Sequence, residues 1–391
     1  MVLYNGGYMQ LKIDELKDLM AKISAAVEKS KINPKSGWIE LLVEDNQLLF
    51  KVSNSDSYYL QAYCKIIGTD IDTTFHVTVL AETFIPLVSK FDEDTLTIYE
   101  RLNVLILETA SSTYTLPTIK ELGKPKSIDA IPFKADSNIP IEIEGKALAS
   151  IADINLKGYV DSLIYSGYAS YIYIDEKGAI TATENIYVND FEQPATLPFK
   201  LLLTPTQVKL LDIFKNEGTL SILCEEIPTY YDEPTVALRI CIYNDKVKLI
   251  LNTQPKSLTD TFPSIKARAM AENINQTHIF IDKKALERAL TRLMIFDKKF
   301  DVTVIDYSKL VFKDTELELV SIRNKNSERI PYVSSQNVIQ HESVIRFIDL
   351  QRQLKAVSSK NVDISYGSQG AIVLNSTNVK QIIPEMRLKD N

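Results

Sequence analysis

The chain of 391 residues is 45% apolar and 24% charged, a globular composition with room for two to three cored domains rather than a disordered one. Its net charge of −7, taken alone, excludes a uniformly basic nucleic-acid coat, and no apolar run approaches the roughly 20 residues that span a bilayer. Cys64, Cys224 and Cys241 lack CxxC spacing and read as free thiols of a reducing cytoplasm, and MVLYNGGYMQLK at the start lacks the basic and apolar regions of a secretion signal.

In chain order, a strand-then-helix opening occurs at Gln10–Ile23, at Ile139–Asp153 and at Thr277–Leu293. A second unit, strand–helix–strand, recurs at His76–Ile98, Phe199–Ile222 and Ser343–Ile364. Between the two, apolar and polar residues alternate through Leu42–Val52, Tyr171–Ile186 and Val302–Leu319, each predicting a half-buried hairpin around Asp/Glu/Asn/Gly or Tyr-Ser turns. The period is roughly 130 residues, one domain and far too long for a solenoid. The fold class expected is α+β, three repeats of one domain, each a duplicated strand–helix–strands unit. Polar junctions at Lys134–Pro140 and Lys266–Gln276 put the domains at 1–136, 137–272 and 273–391.

The charge is unevenly placed. The six expected helices (Ile13–Ile32, Glu82–Phe91, Lys146–Tyr159, Thr204–Asn216, Asp282–Lys299, Arg346–Lys360) together carry +8, so the rest of the −7 chain carries −15. Lys284, Arg288 and Arg292 lie at i, i+4 and i+8, one stripe opposite Leu286, Ala289, Leu290 and Leu293. Arg352 and Lys355 likewise oppose Phe347, Leu350, Leu354 and Val357. Any surface helix shows a charged face; recurrence with one sign on an acidic protein points to an anionic partner.

Catalytic signatures are missing. There is no GxGxxG; Gly123-Lys124-Pro125 lacks the glycine loop and the Ser or Thr of a Walker A motif. His76, His278 and His341 stand apart from any metal-ligand spacing, and read as structural. Glu225–Glu233 (EEIPTYYDE) reads as an exposed acidic hairpin loop rather than a carboxylate site. No cofactor or metal is expected, and the protein is read as a non-enzyme.

The three-domain length, the paired strand–helix–strand units and the run Gln381–Leu388 (QIIPEMRL) resemble the bacterial DNA polymerase III beta sliding clamp, in a divergent, phage-like form. Ser112–Thr118 (STYTLPT) resembles the strand closing the family's first domain, Ile180–Val188 (ITATENIYV) a second-domain strand and loop, and Thr261-Phe262-Pro263 the connection into the third. Leu354–Ile364 (LKAVSSKNVDI) is similar to the last helix and its following strand. The resemblance implies a head-to-tail homodimeric ring with helices inside and antiparallel sheets outside, encircling double-stranded DNA without reading sequence. It implies a clamp loader and a DNA polymerase as partners.

Residue by residue, it implies that Lys284, Arg288, Arg292, Arg352 and Lys355, with Lys17, Lys22, Lys157 and Lys209, face DNA. A partner-peptide pocket would draw on Thr183, Asn185, Ile186, Val188, Pro263, Ile382, Ile383, Pro384 and Met386. Where the family's loop reads Asp-Gly-His-Arg-Leu, this chain has Glu184-Asn185-Ile186-Tyr187-Val188, and Glu385 separates Pro384 from Met386. The subunit seam would bring Tyr114 and Leu116 against Leu293 and Met294 of the partner, flanked by Glu316 and Glu318. The alternative expectation is a clamp-fold interaction protein, a decoy or transcription coactivator, that binds replication proteins without encircling DNA.

Overall fold

The computed structural model describes residues 8–28, 33–54, 57–68, 74–134, 139–158, 171–176, 178–181, 188–190, 197–230, 234–262, 277–297, 308–367, 370–376 and 379–386. The first stretch runs β1 (Met9–Lys12), α1 (Ile13–Ala26), β2 (Trp38–Glu44), β3 (Gln47–Asn54), β4 (Tyr58–Lys65), β5 (His76–Leu80), α2 (Ala81–Val88), β6 (Thr95–Arg101), β7 (Val104–Glu108) and β8 (Thr113–Pro117). A small hairpin follows, β9 (Lys120–Glu121) and β10 (Lys124–Pro125). The second runs β11 (Ile141–Glu144), α3 (Gly145–Gly158), β12 (Ile172–Asp175), β13 (Gly178–Thr181), β14 (Val188–Asp190), β15 (Leu201–Leu203), α4 (Pro205–Leu210), β16 (Thr219–Tyr230), β17 (Pro234–Tyr243) and β18 (Val247–Pro255). The third runs β19 (His278–Asp282), α5 (Lys283–Asp297), β20 (Ser308–Phe312), β21 (Glu316–Ser321), β22 (Ser327–Pro331), β23 (Ser334–Gln336), β24 (His341–Ile345), α6 (Phe347–Leu354), β25 (Asn361–Ser365), β26 (Ala371–Ser376) and β27 (Val379–Pro384).

Pairing follows one rule three times. The strand before the first helix joins the three-strand meander after the second helix, and the strand before the second helix joins the meander after the first. Thus β1-β6-β7-β8 and β5-β2-β3-β4 arise from the first stretch, β11-β16-β17-β18 and β15-β12-β13-β14 from the second, and β19-β25-β26-β27 and β24-β20-β21-β22 from the third. Every one of these ladders is antiparallel. The duplicated strand–helix–strands unit is therefore visible as topology.

By compactness the chain forms two units, Met1–Lys146 with Ile213–Lys256, and Ala147–Asp212 with Ser257–Asn391. In the first, β18 pairs with β4, Val247 opposite Ala62 through Leu251 opposite Tyr58, making one eight-stranded sheet. Its helix side is filled by Leu16, Met20 and Ile23 of α1 and by Phe84 of α2, whose ring lies 6.3 Å from Phe50. Across its other face runs the segment after β10, where Ile128 and Ile131 pack with Tyr59, Leu223, Cys241 and Ile250. Glu40, fully buried, anchors that segment by accepting from the backbone N–H of Ile128 (2.9 Å) and from Ser127 Oγ (3.1 Å), with His76 Nε2 at 2.7 Å. That fixes His76 structurally, as a buried carboxylate needs such partners.

In the second unit, β14 pairs with β27, Val188 opposite Ile382, extending the sheet to nine strands. Leu286, Leu290 and Leu293 of α5 and Phe347, Leu350 and Leu354 of α6 share one core with Phe312, Leu319, Ile364 and Ile383. Each such side chain, fully buried, contributes about 1.5–3 kcal/mol. Asp282 caps α5, accepting from the N–H of Ala285 at 2.8 Å. Thr204 and Gln207 form a reciprocal capping box on α4, with Pro205 in its first turn.

Three expectations are corrected. The last hairpin turns at Lys313–Thr315, not at Tyr307-Ser308, because Ser308 already pairs with Ser321 and Ile345. Glu225 and Glu226 are strand rather than loop, opposite Arg239 and Leu238. β11 covers only Thr219–Ile222, so beyond it β16 is an edge, and Pro228 can sit there without costing a ladder bond. The helices are also shorter than expected. α1 stops at Ala26, where Val27 turns extended (φ −89°, ψ 128°) and the N–H of Glu28 donates to the carbonyl of Ser36.

Candidate nucleic-acid and partner surfaces

The stripe on α5 forms as its spacing requires. Lys284, Arg288 and Arg292 are exposed while Leu286, Ala289, Leu290 and Leu293 are buried. The three cations differ in what they are free to do. Arg292 is held in a bidentate fork by Glu328 of β22, Nε to Oε1 at 2.7 Å and Nη2 to Oε2 at 2.8 Å. The fork raises the arginine's pKa and lowers that of the carboxylate, through charge-assisted hydrogen bonds in both cases. Arg288 Nε caps only the carbonyl of Lys284, at 3.2 Å. Among the described residues, Lys284 and Arg288 form no ion pair.

The remaining candidates divide the same way. Lys355, just past α6, and Lys209 on α4 are exposed, whereas Arg352 lies 3.9 Å from the buried carboxylate of Asp349, which Arg346 also binds. Lys17 lies 3.7 Å from Asp92. Lys22 is paired with Glu217, whose other oxygen accepts from Asn244 Nδ2 at 2.7 Å. The solvent side of α1 carries Asp14, Glu15 and Asp18. The side chain of Lys157 lies outside the described residues. Within the observed bounds, α5 alone keeps a clear positive excess, and the bias expected of the helices sits largely on residues that flank them.

Of the expected peptide pocket, Thr183, Asn185, Ile186 and Pro263 lie outside the described residues, as do the side chains of Val188 and Pro384. Ile382 and Ile383 are 0% exposed and belong to the core, so they support a wall rather than offer one. Beyond them the backbone of the final strand is pinned: Glu385 N–H donates to Gly370 O and Met386 N–H to Val344 O, both at 2.7 Å. The Glu385 carboxylate accepts from Ser343 Oγ at 2.6 Å and faces His341 Nε2 at 2.9 Å. Next to His341 is an open groove of about 690 Å³ bounded by Phe312, Asp314, Glu316, Gln340 and Glu342. Elsewhere in the unit Tyr173 stacks on Phe262, centroids 4.9 Å apart.

The seam candidates fall on sheet edges. Tyr114 and Leu116 lie on β8, an outer strand of its four-stranded sheet; Tyr114 is 42% exposed, with its ring 5.6 Å from Phe91. Leu293 and Met294 are buried in their own core. Glu316 and Glu318 lie one strand in from the edge, neutralised by Lys313 and Arg329. The edge beside them is β22, Ser327–Pro331, which sequence reasoning missed. Its signal was an alternating Ser-Glu-Arg-Ile-Pro after a polar turn, with a proline where an edge tolerates one.

In each half-sheet the last meander strand forms an edge. Four of these, β4, β18, β14 and β27, pair with one another; β8 and β22 remain open among the described residues.

No protein-family model matches the chain, and no curated protein is similar to it in sequence. Solved structures are. The DNA polymerase III beta subunit from Thermotoga maritima superposes with a TM-score of 0.76 at 15% identity, covering 98% of this chain and 100% of that one. The beta subunit from the DNA polymerase of Streptococcus pyogenes gives 0.75 at 15%, covering 97% and 100%. The DNA polymerase sliding clamp from Bacillus subtilis gives 0.73 at 14%, covering 98% and 100%. Over nearly its whole length, this chain has the fold of the bacterial DNA polymerase III beta sliding clamps.

Proposed function

We propose that the protein is a DNA sliding clamp, a non-enzymatic ring that encircles duplex DNA and tethers a polymerase to it. The observation that carries this is topological. Six equivalent half-sheets occur in the chain, four are joined pairwise through their last strands, and among the described residues the last strands of the other two, β8 and β22, are open. If β8 of one copy meets β22 of another head to tail, two such seams related by a twofold axis close a circle. Read this way, the three repeats are the domains 1–136, 137–272 and 273–391, Tyr114 and Leu116 line the seam, and Leu293, Met294, Glu316 and Glu318 support β22 from behind.

Lys284, Arg288, Lys355 and Lys209 are the cations free to meet phosphates, and such contacts hold DNA without reading it. The tether then acts by topology and effective concentration. A DNA polymerase would dock by a peptide near β14 and β27, and a clamp loader would open the ring. Residence in the cytoplasm follows from that role. Among the described residues no helix is long and apolar enough to cross a membrane.

The test separates topology from affinity. Copies dissociated by dilution are concentrated in the presence of nicked circular DNA, washed in high salt, and the circle is then cut. A clamp stays on the circle and is released by linearisation. Loss in the salt wash would refute encirclement. The second reading, an interaction protein with the clamp fold, draws on the acidic face of α1 and on the ion pairs that occupy Arg292, Arg352, Lys17 and Lys22. Charge reversal of Arg288 and Arg292 impairs the loading or sliding of a clamp and leaves partner binding by a decoy unchanged.

A further inference from the structure

We propose that the helix-free face of the sheet across β4, β18, β17 and β16 is a peptide-binding surface, which the segment Ser127–Lys134 occupies as a tethered ligand. A protein partner takes its place with an extended segment of the same chemistry. Two branched aliphatic side chains stand three residues apart, with a hydroxyl residue before the first and proline and an aromatic after the second. The polymerase docking proposed above lies at the other join, β14 to β27, and this inference does not depend on it.

The segment lies on the sheet as a bound peptide does. It follows β10 without forming helix or strand. Ile128 and Ile131 are buried and Phe133 is half-buried, whereas Ser127, Asp129, Ala130, Pro132 and Lys134 are exposed. The two isoleucines meet Tyr59, Leu223, Cys241 and Ile250, with Trp38, Phe133 and Tyr243 around them. Tyr59 pairs with Ile250, Ile250 with Cys241, and Cys241 with Leu223 on successive strands. Directly opposed residues share a face, so these four side chains form one apolar row across four strands, and the isoleucines sit on it.

The main chain of the segment is held by side chains. Ile128 N–H donates to Glu40 (2.9 Å), Lys134 N–H donates to Glu225 (2.9 Å), and Pro132 O accepts from Arg239 Nη1. Among the described residues, no backbone group of 127–134 bonds to another backbone group. The ladders of β16, β17, β18 and β4 form without the segment, so its departure breaks none of their bonds.

One point of the site demands replacement. Glu40 is buried and accepts from Ser127 Oγ (3.1 Å) as well as from Ile128 N–H. A buried carboxylate stripped of two donors is costly, so exchange for another peptide is favoured over simple opening. That requirement sets the partner's first two residues, a Ser or Thr and then a residue with a free N–H. A cleft of about 360 Å³ runs beside the segment, lined by Ala130, Pro132, Arg239, Asn252, Ser53 and Lys35, with room for a partner side chain larger than Ala130. A closely tethered ligand competes at an effective concentration of about millimolar. A free peptide of equal affinity is therefore excluded at micromolar concentrations.

The chain's only tryptophan, Trp38, borders the site and reports its occupancy. In the full-length chain, Ile128→Ser with Ile131→Ser releases the segment and should shift Trp38 emission to the red. The peptide Lys126–Lys134 (KSIDAIPFK) should reverse that shift. Its fluorescein-labelled form should bind the variant about tenfold or more tighter than it binds the wild-type chain, read by anisotropy. The same peptide with both isoleucines replaced by serine should not bind. Equal or weaker binding to a variant with native circular dichroism overturns the proposal. Amide exchange in the wild-type chain gives an answer even where the variant misfolds. The Ile128 and Lys134 amides should exchange about tenfold or more faster than those of Leu249 and Leu251 in β18, through an opening that leaves the sheet intact. Exchange of both sets at one rate would mean that the segment leaves only on global unfolding, which also overturns the proposal.

Discussion

Removing Lys284 and Arg288 together probes the DNA face with a magnitude set by which cations are unengaged. Each phosphate contact lowers the slope of log affinity against log salt by roughly 0.9 for duplex DNA. Two unpaired cations on α5, present in both copies of a dimer, give four contacts and a loss of slope of up to about 3.6. At 0.1 M salt that corresponds to as many decades of affinity at most, because each contact releases one condensed counterion. Arg292 lies one turn further along the same stripe, yet its guanidinium already donates to both oxygens of Glu328 at 2.7 and 2.8 Å. To bind a phosphate it must give that up, so Arg292→Ala changes the slope by roughly half as much or less per residue. Anisotropy titrations of a short blunt duplex from low to moderate salt measure both. A double variant with an unchanged slope, or an Arg292→Ala variant with an equal loss, would refute the assignment of free and occupied cations.

Further expectations follow from packing and protonation. At Gly145 a Cβ would lie 2.3 Å from the carbonyl oxygen of Phe214 and 2.8 Å from that of Glu217, both backbone atoms that cannot swing aside. Gly145→Ala should therefore destabilise by about 1–3 kcal/mol despite alanine's better helix propensity, read as a lower urea midpoint. Leu290→Ala, in the core between α5 and the sheet, should cost about 2–5 kcal/mol in the same assay. Glu93 accepts from Ser111 and Thr109, which hold its pKa down to about 2 from 4.5. A depressed acid stabilises above its unfolded pKa, so amide protection in the loop Thr109–Ser112 should fall between pH 4.5 and 2. That fall should be absent in Glu93→Gln. Burial raises the thiols of Cys64 to about 12 and of Cys241 to about 11, so a thiol reagent at pH 8 should react with these two buried thiols only after denaturation.

Periodicity carried most of the fold. The alternation in Leu42–Val52 and the 3.6-residue spacing of Leu286, Leu290 and Leu293 are local signals, and each became the element it announces. Which strand pairs with which was not legible: β1 joins β6 rather than β2, a choice made by helices packing over the sheet. The candidate surfaces divided on the same line. Exposure of Lys284 and Arg288 follows from helical spacing alone. Capture of Arg292 by Glu328, 36 residues away in sequence, does not, and neither does the pairing of Lys22 with Glu217. Ile382 and Ile383, read as pocket wall and core strand at once, are buried, and a terminal apolar strand looks the same whether it ends at a surface or between two neighbours. Pairing with β14 and β26 on both sides decides for the interior.

Open strand edges are a hazard, because unpaired N–H and C=O groups recruit other chains. A fold that ended every half-sheet in a meander strand would have six such edges, and this one pairs four within the chain. The two that remain are short, end in proline, and lie in parts of the sequence with no other affinity for each other. Shortness and proline both discourage the addition of other chains. The two edges are blunted only at one end each, and at ends that become opposite when the strands run antiparallel. The prolines thus disfavour alignments that bring them into the middle of a ladder, where a donor would be missing, and leave those that keep them at its ends. Closure into a ring, rather than an open filament, then depends on the angle between successive half-sheets, which the joins inside the chain already fix for two of the three unions. The third must match them for two copies to close, and a variant that bends β22 should shift the protein from dimers to longer assemblies.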